Sequence, residues 1–344
     1  MGNHGLLGLL HAKQHGGQDL DLFHSIVFLE ELARLGYGGI RASVSVHAYM
    51  ATHYLGKYAS AALQQTYLAS SIQGEKVAAL AITEWEAGSD LSRLATTATQ
   101  ANDHLIINGT KTFITNGANA DYYVVAVRTS AAKDAQRSNT GISLVIVDAN
   151  LPGVGVSPQE KIGWHSAGTA EINFADVEIP SGNVIGRINS GFLYLMRGFQ
   201  LERLAAAVLA LGGVDYCLDS TLAYVMSRQA FSGKLSELQT IRHRMAGMAT
   251  DLTSARMLTY HAAWAYQNDE LSVKECSMAK LQATELASRV ADECLQLQGA
   301  RGYLATSDIG RVYRDARAGT MAGGATEIMR DIIAQQMIDM RSGI

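Results

Sequence analysis

The sequence predicts an α+β chain with three successive domains. These are an N-terminal helical domain, a small middle β-barrel or sandwich, and a C-terminal four-helix bundle. Apolar residues recur at three- and four-residue spacing before about residue 73 and again after residue 191. Between about residues 77 and 185, short strand-like runs alternate with turn dipeptides, without an intervening helical pattern. The expected domain bounds are 1–75, 76–187 and 188–344.

The N-terminal domain is predicted to be helical from Leu20 to about Gln73. In its first helix, Leu22, Ile26, Leu29, Leu32 and Leu35 form one apolar stripe. The segment Gly36-Tyr-Gly-Gly39 is expected to end that helix, because glycine is common just past helix C-termini. Two further helical stretches follow, one through Tyr49, Leu55 and Tyr58 and one from Ala61 to about Ile72.

The middle domain shows strands and turns. Asn102-Asp103, Asn108-Gly109 and Asn116-Gly117 are expected to be hairpins or tight turns, because asparagine and glycine tolerate the required backbone angles. The strand-like runs are Val77–Ile82, Tyr122–Val127, Ile142–Val147, Ala170–Phe174 and Val177–Ile179.

The C-terminal domain shows long helical patterns from Gly191 onward. One stripe contains Leu201, Leu204, Val208 and Leu211, and a second contains Ile241, Met245 and Met248. A third helix is expected from about Leu271 to Leu297. Long antiparallel helices of this kind form bundles.

Composition excludes several classes of protein. The chain has 344 residues, is 48% hydrophobic and carries a net charge of −4, so no basic field suggests nucleic acid or an anionic membrane. Three dispersed cysteines without a C-x-x-C pair favour a reducing compartment. No membrane span, signal peptide, Rossmann or P-loop glycine motif, or metal-ligand spacing is evident. We therefore expect a cytoplasmic protein with no metal.

One loop carries the first functional signal, Ile82-Thr-Glu-Trp-Glu-Ala-Gly-Ser-Asp90. A strand that leads into small residues and a hydroxyl lets a ligand approach the backbone closely, although an ordinary strand end with a turn is the alternative. A second signal follows at Ile107-Asn-Gly-Thr-Lys-Thr-Phe-Ile-Thr-Asn-Gly117. Together these stretches closely resemble the acyl-CoA dehydrogenase family, with its T-E-x-x-A-G-S-D loop and I-N-G-x-K-x-[WF]-I-T-N-G hairpin. The resemblance extends through most of the chain.

The resemblance implies an FAD-dependent α,β-dehydrogenation of an acyl thioester, such as acyl-CoA to trans-2-enoyl-CoA. A base removes the α-proton while the β-hydride passes to flavin N5, because no side chain can accept a hydride. The expected flavin-binding residues in this region are Leu80, Ile82, Thr83, Gly88, Ser89, Phe113, Ile114 and Thr115. Ser89 is also expected to contact substrate. For Phe113, a ring packed in the protein core is the alternative.

The position of the base distinguishes groups of relatives. Many carry a glutamate in a C-terminal Y-E-G-T segment, where this chain has Gly323. The isovaleryl- and long-chain-type enzymes instead place it near the start of a bundle helix, before an arginine. The matching segment here is Gln200-Leu-Glu-Arg-Leu204, so Glu202 is the expected base. The alternative is a carboxylate stabilised by the dipole at the helix N-terminus.

Other substrate contacts follow from the same resemblance. The backbone N–H of Gly323 is expected to help hold the thioester oxygen, with Gly324 and Gln200 nearby. Arg203 is either a cation beside the substrate or a neighbouring helix charge. Small residues at Ala322 and Gly323 favour a branched or bulky acyl chain, consistent with fatty-acid or branched-acyl metabolism.

Further cofactor contacts are expected from C-terminal motifs. Arg228-Gln-Ala-Phe231 matches the R-x-x-F element that one subunit gives to the FAD pyrophosphate and adenine of its neighbour. The remaining expected contacts are Gln239, Gln296, Gly299, Ala300, Ala325, Thr326 and Glu327. A homodimer or homotetramer and reoxidation by an electron-transferring flavoprotein are therefore implied.

Some positions depart from the family pattern. Trp85 replaces a proline, Ala300 a glycine and Ala325 a threonine, and Ser232-Gly-Lys234 replaces G-K-P. These changes are expected to weaken FAD binding without abolishing it. Relatives also begin with a further helix before Gly5–Leu9, so the start is either truncated or shortened.

The sequence leaves other functions open. They are the same reaction on a carrier-protein-bound acyl group, a flavin monooxygenase or oxidase on the same fold, and a non-catalytic relative.

Overall fold

The structure is a computed structural model that describes residues 1–130, 140–231, 233–268 and 272–342. It contains two compact units, which are described separately below. The first unit comprises Met1–Asp21, Ala42–Lys161 and His165–Phe199, and the second comprises Leu22–Arg41, Ile162–Trp164 and Gln200–Ile344.

Short helices make up the N-terminal region, as predicted. They are α1 (Leu22–Arg34), α2 (Gly38–Ser45), α3 (Thr52–Tyr58), α4 (Ala61–Leu63) and α5 (Ala69–Gln73), with π-helical turns at Val46–Ala51 and Gln64–Leu68. Gly36, with φ of 75°, ends α1 as expected. The predicted stop is too long, however, because α2 already begins at Gly38.

An eight-stranded sheet forms the middle of the chain. Its strands are β1 (Ala78–Ala81), β2 (Thr97–Ala101), β3 (His104–Ile114), β4 (Tyr122–Arg128), β5 (Ile142–Asp148), β6 (Val154–Pro158), β7 (Ala170–Pro180) and β8 (Val184–Ile185). The order is β6-β7-β3-β2-β4-β5-β8, and β1 pairs in parallel with β4.

Alternate residues of β4 belong to two different cores. Tyr122, Val124 and Ala126 join a cluster with helical residues, whereas Tyr123 and Val125 join one made mainly of strand residues. Both faces of the strand are therefore buried, which explains its unbroken apolar sequence.

The structure changes two details of the predicted sheet. Asn108-Gly109 is not a hairpin turn but lies inside β3, where the register against β7 shifts. Gly109 has φ of 143°, and a Cβ there would lie 2.7 Å from the Thr96 Cα, so a bulge and close backbone packing explain the glycine. The two runs predicted between 170 and 179 form one strand, β7. Asn102 and Asn116, with φ of 57° and 66°, occupy turns as predicted.

Long helices form most of the second unit. They are α7 (Gln239–Gln267), α8 (Val273–Gln298), α9 (Asp308–Gly319), α10 (Thr326–Ser342) and, from Gln200 onward, α6 (Gly191–Ser227). A two-stranded hairpin, β9 (Gln229–Ala230) and β10 (Gly233–Lys234), follows α6. The predicted stripe of Leu201, Leu204, Val208 and Leu211 is buried.

Other predictions for these helices hold only in part. In the second predicted stripe only Met248 is buried, whereas Ile241 and Met245 are half-buried. Leu271, the predicted start of the third helix, and Ser232 lie outside the described residues. Within the described part of the chain, no helix is both long and apolar enough to cross a bilayer.

Candidate active site

Internal contacts fix the loop that follows β1 in the first unit. The buried carboxylate of Glu84 accepts the backbone N–H groups of Ala95 at 2.7 Å and Thr96 at 2.9 Å. Its Oε1 also pairs with Lys111 Nζ at 2.7 Å, and the same ammonium donates to the Ile82 carbonyl at 3.0 Å. This buried ion pair ties the loop to β3.

Burial and pairing have opposite effects on these two charges. Burial by itself would raise the pKa of Glu84, but the Lys111 ammonium and the surrounding donors bring that pKa below its ordinary value. Complete burial lowers the pKa of Lys111 to about 8, although Glu84 acts to raise it. Both groups are therefore charged at neutral pH.

Phe113 lies at the surface of the first unit, not in its core. It is 55% exposed and has φ of 58°, a backbone conformation that non-glycine residues adopt rarely. The ring lies 5.0 Å from the ring of Trp85 in a T-shaped arrangement. Trp85 Nε1 donates to Glu171 Oε2 at 2.7 Å. The departure from proline at position 85 thus supplies an exposed aromatic neighbour for Phe113.

The other predicted flavin residues of the first unit differ in exposure. Gly88 and Ser89 are exposed, and Leu80, Thr83 and Thr115 are half-buried. A Cβ at Gly88 would meet only the Thr83 methyl at 4.0 Å, so a planar ligand has room to approach. Ile82 and Ile114 are buried in the two cores, which leaves only their backbone atoms for a cofactor.

Glu202 and Arg203 lie inside the second unit. They are 5% and 7% exposed. Glu202 lies eleven residues after Gly191, where α6 begins. The expectation that it lies near the helix start, and with it the helix-dipole explanation, is therefore wrong, because the dipole effect fades within the first turn.

Two neighbours hold this part of α6 against α8. Arg203 Nη1 donates to Ser277 Oγ at 3.3 Å, and Ser272 Oγ donates to Gln200 Oε1 at 2.6 Å. Burial lowers the pKa of Arg203, although the nearby Glu202 acts to raise it. Among the described residues, the buried Arg203 Nε has no hydrogen-bond acceptor.

The loop between α9 and α10 provides exposed backbone in the same unit. Gly323 and Gly324 have φ of 64° and 96°, which favours glycine at both positions. Gly323 is exposed, and no atom lies within 4 Å of a Cβ built on it. The Thr326 N–H donates to the Thr320 carbonyl at 3.0 Å and closes the loop before α10.

Comparison with known proteins assigns the chain to a family. The acyl-CoA dehydrogenase N-terminal, middle and C-terminal domains match residues 1–75, 79–177 and 189–338. The chain is 33% identical to isovaleryl-CoA dehydrogenase of Pongo abelii over 97% of its length and 79% of that protein. It is 34% identical to long-chain specific acyl-CoA dehydrogenase of Rattus norvegicus, over 98% of this chain and 78% of that one.

A solved structure agrees with this assignment. Acyl-CoA dehydrogenase from Geobacillus kaustophilus matches with a TM-score of 0.94 and 37% identity, covering 98% of this chain and 88% of that one. The chain belongs to the acyl-CoA dehydrogenase family. It is accordingly a flavin-dependent oxidoreductase acting on CH–CH donors, and the predicted fold of helical, β and helical domains is confirmed.

Most of the remaining residues that the acyl-CoA dehydrogenase resemblance assigns to FAD are exposed on the second unit. Arg228 and Gln239 are exposed, and Phe231 is 96% exposed. Gln296, Gly299 and Ala300 lie together in a cleft of about 330 Å³ that Leu295 and Tyr303 also line. Thr326 is buried at the start of α10, next to the half-buried Ala325 and the exposed Glu327.

These surfaces fit a flavin dinucleotide. The second unit offers the exposed guanidinium of Arg228 and the cleft beside Gln296. It also offers open backbone at Gly299, because no atom lies within 4 Å of a Cβ built there. The first unit offers the open Gly88 loop and the ring of Phe113.

Three residues outside the predicted site support these loops or the start of β1. Lys111 and Lys280 are fully buried and bond to loop carbonyls, and Asn116 Nδ2 donates to the Ala78 carbonyl at 3.1 Å. Lys111 and Asn116 belong to the I-N-G-x-K-x-[WF]-I-T-N-G motif, which was the available signal. Lys280 lies in no motif that the sequence reasoning used.

Proposed function

We propose that this chain catalyses FAD-dependent α,β-dehydrogenation of an acyl thioester, with Glu202 as the base that removes the α-proton. The burial of Glu202 is the observation that carries this proposal, because a carboxylate shielded from water can meet a carbon acid without competition from solvent. The helix dipole does not explain a glutamate at this position, because Glu202 lies eleven residues after the start of α6. The glycine at position 323 leaves no carboxylate at the other position that relatives use.

The proposed FAD contacts lie in each of the two units. In the first unit these are the backbone of Ile82 and Ile114 together with Leu80, Thr83, Gly88, Ser89, Phe113 and Thr115. In the second they are Arg228, Phe231, Gln239, Gln296, Gly299, Ala300, Ala325, Thr326 and Glu327. When bound, the flavin supplies the hydride acceptor that side chains lack.

The Gly323 N–H would stabilise the thioester oxygen as negative charge develops on it during α-proton removal. Its exposure and the open space around it support this role. Gln200, Arg203, Gly324 and Ser89 would contact the substrate. Arg203 Nε has no acceptor in the described part of the chain, which favours the substrate-side alternative over a simple helix charge.

The Glu202→Gln variant tests the base, because glutamine keeps the shape but cannot take the proton. Anaerobic mixing with a panel of acyl thioesters should reduce the flavin of the parent, and the limiting rate should fall about 10²- to 10⁴-fold in the variant. Glu275→Gln is a control, since Glu275 is another poorly exposed carboxylate of the same unit. The base assignment is wrong if Glu202→Gln retains the parental rate with every thioester that reduces the parent.

The carrier of the acyl group distinguishes two versions of this function. Both CoA and a carrier protein present the acyl chain on the same thioester, so the reacting atoms are identical. Parallel titrations with an acyl-CoA and the matching acyl-carrier protein would identify the carrier from the tighter half-saturation.

Two other outcomes would indicate a different function. Rapid oxygen consumption by the reduced enzyme would indicate an oxidase or monooxygenase. Failure to reconstitute with FAD would indicate a non-catalytic relative.

Assembly and electron transfer complete the proposal. We infer a homodimer or homotetramer, because Arg228, Phe231 and Gln239 are exposed where the resemblance gives them to a neighbouring subunit's FAD. Light scattering should then give a multiple of 36.9 kDa, and Arg228→Ala should lose flavin while keeping that mass.

We also propose that an electron-transferring flavoprotein in the cytoplasm reoxidises the enzyme. Reduction of such a flavoprotein by the loaded enzyme would test this.

A further inference from the structure

Lys280 in α8 is a buried cation that the proposed reaction does not use directly. Its side chain is fully buried, and its Nζ donates to the Gly324 carbonyl. Burial and the nearby Arg203 charge lower its pKa to about 8, while Glu285 and Glu327 act to raise it. Lys280 is therefore mostly protonated at neutral pH and able to donate to this carbonyl.

Peptide geometry links this bond to the direction of the next amide. In a trans peptide the C=O and the following N–H point in opposite directions, and no cis peptide occurs among the described residues. Because Lys280 draws the Gly324 carbonyl towards α8, the Ala325 N–H must point away from α8.

The amides of this loop are open to a ligand from outside the backbone. In the described part of the chain, the N–H groups of Gly323, Gly324 and Ala325 make no backbone hydrogen bond. Successive backbone amides in a turn form a concave donor edge that suits an oxyanion. The loop would otherwise be free to rotate, since each glycine adopts many backbone conformations.

We propose that Lys280 is a positioning residue that holds the Gly324 carbonyl so that the amide edge of residues 323–325 stays directed away from α8 to receive the thioester oxygen. The identity of the ligand rests on the function proposed above. The orientation of the loop does not, because it follows from the bond between Lys280 and Gly324.

Two measurements on the FAD-loaded protein test this role. Lys280→Met keeps the length of the side chain but removes the donor, and Lys280→Arg keeps a charged donor. Lys274→Met serves as a control, because Lys274 lies in the same helix but pairs with Glu275. The first measurement is hydrogen exchange of the Thr326 amide, whose bond to Thr320 closes the loop. The second is flavin reduction over a range of acyl-thioester concentrations.

We expect Lys280→Met to speed exchange at Thr326 by about 10- to 100-fold, as expected for loss of a charged hydrogen bond. The limiting rate of flavin reduction should fall by at least about tenfold while half-saturation changes less, because an oxyanion contact acts mainly in the transition state. Lys280→Arg should restore part of both values, and Lys274→Met should change neither.

Unchanged exchange at Thr326 in a folded Lys280→Met protein would overturn the proposal, as would parental flavin reduction in that variant. If Lys280→Met does not fold, Lys280→Gln, whose amide is too short to reach the carbonyl, is judged by the same two measurements. A parent that no acyl thioester reduces would refute the proposed function. The positioning role is then supported by faster exchange at Thr326 and refuted by unchanged exchange.

Discussion

Replacing Lys111 by methionine tests whether the buried ion pair with Glu84 holds the loop after β1. Methionine is unbranched and nearly as long, so the change removes the charge with little change in packing. The Glu84 carboxylate would keep its hydrogen bonds from Ala95 and Thr96 but lose the ammonium 2.7 Å away. The Ile82 carbonyl would lose its donor as well.

The expected cost follows from burial. Lys111 is fully buried and the Glu84 side chain is only 9% exposed, so Glu84 would become a buried charge without a counterion. Breaking such a pair costs about 3–5 kcal/mol, and the two remaining backbone donors favour the lower value. For a unit of this size, about 1 kcal/mol shifts Tm by about 2–4 °C, so a decrease of about 6–12 °C is expected.

Thermal unfolding followed by circular dichroism measures this decrease. Lys161→Met is a suitable control, because Lys161 also donates to a carbonyl of the same unit, at 3.2 Å, but is only half-buried. The double variant Lys111→Met/Glu84→Gln should be more stable than the sum of the single changes predicts, because it removes both charges. A Tm within about 2 °C of the parent for Lys111→Met, or strict additivity in the double variant, would refute the reasoning.

Two other perturbations are predicted to have measurable effects. Burial lowers the pKa of His11 to about 4 and that of His53 to about 3. These histidines become protonated in the unfolded state below about pH 6.5 but stay neutral in the folded state down to their lowered pKa. Between those two pH values, each histidine should therefore lower the free energy of unfolding by about 1.4 kcal/mol per pH unit. Tm should therefore fall between pH 7 and pH 5, and less so in His11→Gln. Introducing Gly323→Glu into Glu202→Gln should restore part of the flavin reduction rate, because space surrounds position 323; a positive φ that strains glutamate should keep the rate below parental. No gain over Glu202→Gln would refute the expectation that position 323 can supply a base.

Local sequence patterns predicted most secondary structure but not its long-range context. Asn102-Asp103 and Asn108-Gly109 carry similar turn signals, yet only the first turns the chain. The difference lies in the neighbours of Gly109, which packs against Thr96 within the paired sheet. A dipeptide contains no information about the strand beside it, so a bulge and a hairpin look alike in sequence.

The candidate site also combines features that local sequence predicts with features that depend on the fold. The loop at Gly88 and the Gln-Leu-Glu-Arg segment at Glu202 were recognisable because their residue types and spacing are local. The depth of Glu202 along α6 was misjudged although helix was expected from Gly191 onward, because the resemblance placed the base near the start of a bundle helix. Trp85 looked like a simple departure from the pattern, and only the folded loop shows its ring beside Phe113.

The burial of two lysines could not be predicted from residue type, because lysine is almost always exposed. Yet Lys111 in the first unit and Lys280 in the second are fully buried, and each donates to the carbonyl of a loop assigned to ligand binding. A long flexible side chain can reach a loop from a rigid strand or helix, and its charge makes the hydrogen bond stronger than a neutral one. An apolar residue at either position would fill the space but leave the carbonyl free to turn. The presence of these buried lysines is therefore better explained by loop orientation than by stability, since buried charges stabilise folds only weakly.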